Sequence, residues 1–408
     1  MTQPREAAHT PPARPLRIAV VEPLPVGGLL HYATQLADAL AERGNDVELI
    51  LARENELAAH RGAARRRDIL PAETAPLPSN PTRLQSKLRR ARNAARLLAT
   101  WARVAREVRS SDHDVVLINA NFDMALTAGA GLLVTGLKGR TPVAHVCHNV
   151  RPLNRWSAGE LYVSSKPTLA LLARLYPSFD LVFVHGERNR TQFEATWPPT
   201  KLQVIPHGDE GLFTDDPPPQ AEEPRILFFG AWSKMKGLPV LMQAFDELSA
   251  RMPDARLTIA GPTVSQEGEA DRVLAWARQR LGRVETLPGY VPIEDVPALF
   301  TRARVVVLPY VTSSQSGVVH LAMTMRRAVV VTDVGALPEA VSDGVSGLVV
   351  PPTDPAALAG ALQRVLEDPD LAESFGEAGR ARALEGSGWA TVAEQVETGL
   401  RSLSGERP

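Results

Sequence analysis

Four short segments of this chain carry residues whose types and spacing could do chemistry. Gly27-Gly28 follows the apolar run LRIAVVE (16–22) and opens a helical pattern. Glycine at such a turn lets the backbone N–H groups of a helix N-terminus approach an anion or a sugar hydroxyl, although it also serves ordinary turn geometry. His148 and Asn149 end the run TPVAHVCHN (141–149), and a His at a strand's carboxyl end suits a hydrogen-bond partner rather than a base. By strand alternation His145 points to the opposite face, as a packed core residue. In FFGAWSKMKG (228–237), Lys234 and Lys236 precede a helix entered at Gly237, where cation and helix dipole could together hold a diphosphate. Two solvated loop lysines are the plainer alternative. In PYVTSSQSGVV (309–319), Ser316, Gly317 and Val318 would present successive N–H groups to a diphosphate at the start of a helix.

The elements that must position these residues alternate between strand and helix. Apolar runs rich in β-branched residues fall at 16–22, 46–52, 114–120, 141–149, 180–186 and 202–208. Helical spacing joins several of them, as in Leu29, Ala33, Leu36, Ala37 and Leu40, with Gly44 at the helix end. After the Pro- and acid-rich stretch DDPPPQAEEP the alternation restarts, with strands at 225–230, 256–261, 284–289, 305–310, 328–333 and 347–352. Helices are expected at Leu238–Arg251 and Ala270–Leu281. Near-continuous apolar strands separated by helices predict parallel sheets covered on both faces. The 408 residues therefore predict an α/β protein of two doubly wound, Rossmann-like domains whose ligands bind in the cleft between them. The expected division is a disordered tail over 1–15, a first domain over 16–208 and a linker over 209–224. A second domain follows over 225–385, and a terminal helix over 386–408 crosses back to the first domain.

Composition narrows the partners. Hydrophobic content of 44% and charged content of 22% belong to a folded, not a disordered, chain. Residues 1–205 hold 27 basic and 18 acidic side chains, against 18 and 28 in the remainder, so the first half is the one suited to face an anion. The single cysteine, Cys147, forms no internal disulfide and reads as a buried strand thiol. No apolar leader pattern stands in 1–15, and the longest weakly polar run, 124–137, is too short to cross a bilayer.

Beyond these residues, the sequence resembles the GT-B fold glycosyltransferases, and among them retaining family 4. The resemblance runs over about 16–395 and is most specific in VIPHGDEGLF (204–213), FFG…KG (228–237), LTIAGP (257–262) and LPGYVPIEDVPALFTRARVVVLPY (287–310). VVVTDVGALPEAVSDGVSGLVVPPTDPAALAGAL (329–362) follows the family's DVGGLPE…DG…GLLVPP run almost position for position. The resemblance implies a hexose transferred from a nucleoside diphosphate sugar, with retention and without metal, the sugar nucleotide serving as co-substrate and no other cofactor. It implies that His148 orients the donor sugar and that Lys236 neutralises the leaving diphosphate. Gly27 and Gly28 would lie against diphosphate or acceptor, Tyr290 and Val291 against the base, and Ser316–Val318 around the diphosphate. The family's Glu-x7-Glu element is absent: allowing for the family's related EATQSGV variant, Thr312 stands at the first Glu and Leu321 at the second, which the resemblance implies would bind the nucleotide ribose. Ala231 replaces a loop Arg, and Arg326 and Ala328 replace a Gly and a Pro. A non-catalytic binder of a nucleotide sugar or partner protein is the alternative these substitutions suggest.

The stretch 83–111 places Leu84, Leu88, Ala91, Ala95, Leu98, Ala102, Ala105 and Val108 at spacings of three and four among Arg and Lys. It reads as an amphipathic helix packed on the first domain or, with Arg65-Arg66-Arg67, as a peripheral contact with anionic lipid. Aromatic residues are too scarce there for nucleic-acid stacking. A cytoplasmic location, on or off the inner membrane face, is expected.

Overall fold

The structure is a computed structural model. It describes residues 14–71, 83–110, 112–122, 124–136, 141–152, 165–214, 223–263, 268–386 and 388–404. Most of the expected tail (1–15) and half of the expected linker (209–224) lie outside those residues.

The first half runs β1 (Arg17–Glu22), α1 (Gly28–Glu42), β2 (Asp46–Ala52), β3 (Arg65–Leu70), α2 (Arg83–Ser110), β4 (Val115–Ile118) and α3 (Ala125–Gly136). It continues with β5 (Val143–Cys147), α4 (Lys166–Leu175), β6 (Leu181–His185), α5 (Glu187–Thr196) and β7 (Leu202–Ile205). All strand pairs are parallel, in the order β3-β2-β1-β4-β5-β6-β7. The second half repeats the plan with β8 (Arg225–Phe229), α6 (Leu238–Arg251), β9 (Arg256–Gly261), α7 (Glu269–Arg278), β10 (Val284–Pro288), α8 (Val296–Thr301) and β11 (Val305–Leu308). It ends with α9 (Gly317–Thr324), β12 (Ala328–Thr332), α10 (Leu337–Ala340), β13 (Leu348–Val350), α11 (Pro355–Glu367), α12 (Pro369–Ala381) and α13 (Trp389–Arg401). Its sheet order is β10-β9-β8-β11-β12-β13, again parallel. Each sheet reverses direction beside its first strand, the switch point where such sheets bind ligands. The fold is α/β of the GT-B type.

Apolar side chains cover both faces of each sheet. Along β5, Ala144 and Val146 join one core of the first sheet, while Val143 and Cys147 join the other with Phe122 and Phe179. The ring of His145 stacks on Phe179 at 4.9 Å, and its Nδ1 donates to the Ile118 carbonyl at 3.0 Å. The last helix closes the first half, not the second. Val392, Ala393, Val396 and Leu400 of α13 pack among α1, β6 and β7. Gly399 is needed there, because a Cβ would lie 2.3 Å from Gln203 Oε1 and 2.9 Å from the Phe183 ring.

Two features depart from the sequence reading. RRRDIL forms the edge strand β3, which the apolar pattern does not show. Its arginines are engaged rather than free: Arg67 bonds Glu48 and Glu107, both at 2.9 Å, and Arg66 bonds Asp68 at 3.2 Å. In α2 the burial stripe is also shifted. Of the expected stripe Ala105 faces the sheet, together with Thr100, Trp101 and Val104, whereas Leu88 (50% exposed), Ala91, Ala95, Leu98 (53% exposed) and Ala102 face solvent; the side chains of Leu84 and Val108 lie outside the described residues. Trp101 and Val104 dock into the core with Phe122 and so set the rotation of the helix.

Candidate functional site in the cleft

Loops at the carboxyl ends of both sheets meet across one cleft. Glu22 ends β1 and Asn119 follows β4, so the two flank the switch point of the first sheet. Asn119 Nδ2 donates to Glu22 Oε2 at 2.6 Å and to the Leu29 carbonyl at 3.0 Å. Its Oδ1 lies 2.7 Å from His148 Nε2. Burial pushes the Glu22 carboxyl up to about 8, against lesser pulls from the Leu24 N–H and Asn119. His148 is 3% exposed, and burial, then neighbouring His185 and His207, hold its pKa well below the ordinary range. Its Nδ1 meets Gln315 Nε2 of the opposite half at 3.3 Å. The Gln315 loop is clamped further, since Val150 N–H donates to Ser314 Oγ and Asn189 Nδ2 to the Ser314 carbonyl.

A second bridge forms at Glu56. Its carboxylate accepts from Gly27 N–H, from His31 Nε2 at 2.7 Å and from the Tyr290 hydroxyl of the other half. Burial alone would raise the Glu56 pKa, but the His31, Tyr290 and Gly27 hydrogen bonds outweigh it and keep the carboxyl below its usual range. The Gly27 N–H therefore faces a protein carboxylate in the free protein. Gly27 takes the left-handed region at φ 92° to begin α1, and Gly28 is its first residue. Tyr290 is half-exposed after β10, and Val291 packs partly against the second core.

Lys236 and Ser316 converge through one tyrosine. Lys234–Lys236 form a 3-10 turn that ends at Gly237 with φ 71°. That turn lies flat on the end of β11: a Cβ at Gly237 would sit 1.7 Å from the Pro309 carbonyl oxygen. Lys236 Nζ stands 3.6 Å above the Tyr310 ring, and the Tyr310 hydroxyl is 3.1 Å from Ser316 Oγ. Ser316 holds the N-cap position of α9 without a side-chain capping bond, and the N–H groups of Gly317 and Val318, the first two of the helix, have no intrahelical partner. Behind Gly317 lies Glu210, buried and raised to about 8 by that burial, with Gln35 Nε2 donating to it at 3.1 Å. Asp209 and Glu210, expected in the linker, are thus pinned: the Trp389 indole donates to the Asp209 carbonyl and Glu210 N–H to Thr324.

Between these groups lies a buried histidine cluster. The rings of His207 and His320 stack at 4.5 Å, His185 stands 5.1 Å from both His148 and His207, and Tyr32 meets three of the rings edge-on. His185, His207 and His320 line a cavity of about 330 Å³ together with Gln315 and Ser316. Glu339 of α10 closes its far side by accepting the Glu187 and Arg188 N–H groups at the start of α5, at 2.9 and 2.7 Å.

The structure thus gathers His148, Gly27, Tyr290, Lys236 and Ser316–Val318 around the cleft, with Lys234 in the same turn as Lys236. It adds Glu22, Asn119, Glu56, His31, His185, Glu210 and Gln315. The rule that singles out His148, a polar residue at a strand's carboxyl end, applied to every strand points equally to Glu22, Asn119 and His185. Among the described residues no group of three or more His, Cys, Asp or Glu side chains is arranged to hold a metal ion.

Known families match both halves of the chain. Residues 26–208 match Glycosyltransferase Family 4, and residues 223–368 match Glycosyl transferases group 1. Over 344 residues the chain is 29% identical to the alpha-maltose-1-phosphate synthase of Mycolicibacterium smegmatis, covering 73% of this chain and 86% of that protein. It is 30% identical over 256 residues to the GDP-mannose-dependent alpha-(1-6)-phosphatidylinositol monomannoside mannosyltransferase of the same organism, covering 58% and 65%. Sucrose-phosphate synthase from Thermosynechococcus elongatus shares the fold with a TM-score of 0.74 at 22% identity, over 95% of this chain and 98% of that one. HepE of Anabaena, solved with UDP-glucose, does so with a TM-score of 0.69 at 17% identity, over 95% and 100%. With two family matches on its two halves and this fold, the chain belongs to the GT-B glycosyltransferases of the family 4 type.

Proposed function

We propose that the protein transfers a hexose-type sugar from a nucleoside diphosphate sugar to a hydroxyl of a glycan, lipid-linked or small-molecule acceptor, with retention and without a metal. One observation carries this reading: Lys236, Tyr310 and the start of α9 converge at one point of the cleft, opposite the neutral His148. A cation and preorganised N–H groups there stabilise the negative charge that develops on the leaving diphosphate. The bond from the anomeric carbon to the diphosphate oxygen breaks, the acceptor oxygen bonds to that carbon on the same face, and its proton passes to the departing phosphate oxygen. No protein base is required on that route, in keeping with a His148 whose pKa is depressed.

Incubation with UDP-, GDP- and dTDP-hexoses tests the proposal by nucleotide release and anomeric configuration of the product, with and without chelator. Lys236→Ala is expected to lower turnover by about a hundredfold, as removal of one transition-state donor does. Absence of release with every donor, or a chelator-sensitive rate, refutes it. A second reading is favoured by Leu321, which is buried in the apolar core at the position where the resemblance implies a ribose-binding Glu. In that reading the protein binds a nucleotide sugar without turning it over, and nucleotide-induced thermal stabilisation without release identifies it.

No described helix is long and apolar enough to cross a membrane. The solvent-facing Leu88 and Leu98, on a helix rich in Arg, support peripheral contact with anionic lipid. Co-sedimentation with phosphatidylglycerol vesicles, lost in a Leu88→Ser, Leu98→Ser double variant, is the expected result.

A further inference from the structure

Hydrogen positions across the cleft follow from one main-chain oxygen. The Leu29 carbonyl can only accept, so Asn119 must turn its NH2 toward it and toward Glu22. The Asn119 carbonyl oxygen therefore faces His148 Nε2, which must carry the proton. His148 is neutral, so its Nδ1 is a bare acceptor, and Gln315 must present its NH2 there. That leaves Gln315 Oε1 pointing away, buried, and without a partner. An independent line fixes His185. Its Nδ1 donates to the Pro206 carbonyl, so its Nε2 is also a bare, buried acceptor without a partner.

Gln315 and His185 line the same 330 Å³ cavity, within the usual range of small-ligand pockets, about 300–1,000 Å³. Among the described residues its lining holds no Lys or Arg; of its two carboxylates, Glu187 is 70% exposed and faces Arg190, and both oxygens of Glu339 are taken by the start of α5. Val319, Leu337, Ala340 and Pro206 supply apolar wall. Such a site rejects a phosphate, which brings no donors, and an ammonium, whose charge would lose its water among apolar walls and neutral rings. It suits an uncharged ring that carries hydroxyl donors on an apolar body. We infer that this cavity binds the ring of a saccharide and that Gln315 and His185 are specificity-determining residues accepting its hydroxyl hydrogens.

The phosphate seat at Lys236 lies outside the cavity, and Ser316 borders both, so a sugar ring and a diphosphate can be held side by side. The identity of the sugar rests on the transferase reading; the placement of the protons does not. Long-range 1H–15N spectra of the full chain are expected to show His148 protonated at Nε2 and His185 at Nδ1. The opposite tautomer at either residue overturns the inference.

Affinities are then compared for UDP, GDP, UDP-glucose, GDP-mannose and the methyl α-glycosides of glucose and mannose. Gln315→Met is expected to remove about tenfold of the preference for a sugar nucleotide over its nucleotide, the loss of one hydrogen bond, while nucleotide affinity stays unchanged. Gln315→Glu keeps the acceptor and should keep the preference, while its second oxygen draws a proton onto His148 Nδ1, visible in the same spectra. Loss of glycoside binding alone in Gln315→Met assigns the ring to the acceptor, and loss of the sugar-nucleotide preference assigns it to the donor; either result supports the site. If Gln315→Met and His185→Phe change neither, the site is refuted. If no nucleotide binds at all, the transferase reading falls, while the spectra and the glycoside titration still decide the cavity.

Discussion

Substituting Gly237 by alanine tests whether the lysine turn owes its position to β11. Two costs combine at that residue. Its φ of 71° is left-handed, which costs a residue with a Cβ about 1–2 kcal/mol. The added Cβ would also stand 1.7 Å from the Pro309 carbonyl oxygen, a contact no side chain tolerates, so turn and strand must part by more than about 1 Å. Overpacking of that kind adds about 1–3 kcal/mol, for a total loss near 3 kcal/mol. Lys236 would leave its place 3.6 Å above Tyr310, and a displacement of about 1 Å at a reacting centre lowers rates about a hundredfold. Urea unfolding and sugar-nucleotide turnover measure the two effects. Gly44→Ala is the control: its φ of 89° carries the same strain, but nothing lies within 4 Å of its Cβ. If Gly237→Ala loses no more stability than Gly44→Ala and keeps its turnover, the contact with Pro309 does not hold the lysine turn.

Stability should peak near pH 6.5. His145, His148, His185, His207 and His320 are depressed mainly by burial, with His185 at about 3 and His145 and His207 at about 4. Below 6.5 the unfolded chain therefore binds more protons, and stability falls by about 1.4 kcal/mol per pH unit for each such site. Glu22 and Glu210, raised by burial to about 8, act oppositely: the folded state holds the extra proton above 4.5, and stability declines as pH rises toward 8. Five histidines outweigh two carboxyls below 6.5, and a urea midpoint flat from pH 5 to 8 would contradict this. Glu339→Ala strips both N–H partners from the start of α5 and should cost about 1–2 kcal/mol. Small-angle scattering should also show a larger radius of gyration, since that carboxylate joins the two halves. Leu321→Glu, which recreates the missing family residue, buries an unpaired carboxyl and should cost about 3 kcal/mol or more without tightening nucleotide binding.

Much of the architecture was legible because parallel sheets write themselves as apolar runs. Each expected run contains one strand, and α6 has the predicted bounds, Leu238–Arg251. β3 escaped because an edge strand needs no apolar face; its arginines are answered by Glu48 and Glu107 from β2 and α2, partners that adjacency in sequence does not reveal. The stripe in α2 misled because the helix has two apolar faces, and only tertiary contact with Phe122 chooses between them. In the cleft, Lys236 and Ser316–Val318 were legible as local strand-to-helix turns. Glu56 was not, since it acts by spanning Gly27 and Tyr290, residues that only the fold brings together.

The return of α13 to the first sheet has a consequence for how the protein is made. Leu181 and Phe183 of β6 need Val396, Gly399 and Leu400 to leave water, yet more than two hundred residues separate them in the chain. At about 5–20 residues per second of synthesis, that core face waits roughly 10–40 s for its cover. The nascent first half therefore carries an open greasy flank on the ribosome. Ribosome-bound chains stalled before residue 389 should crosslink to a chaperone through β6, and full-length released chains should not.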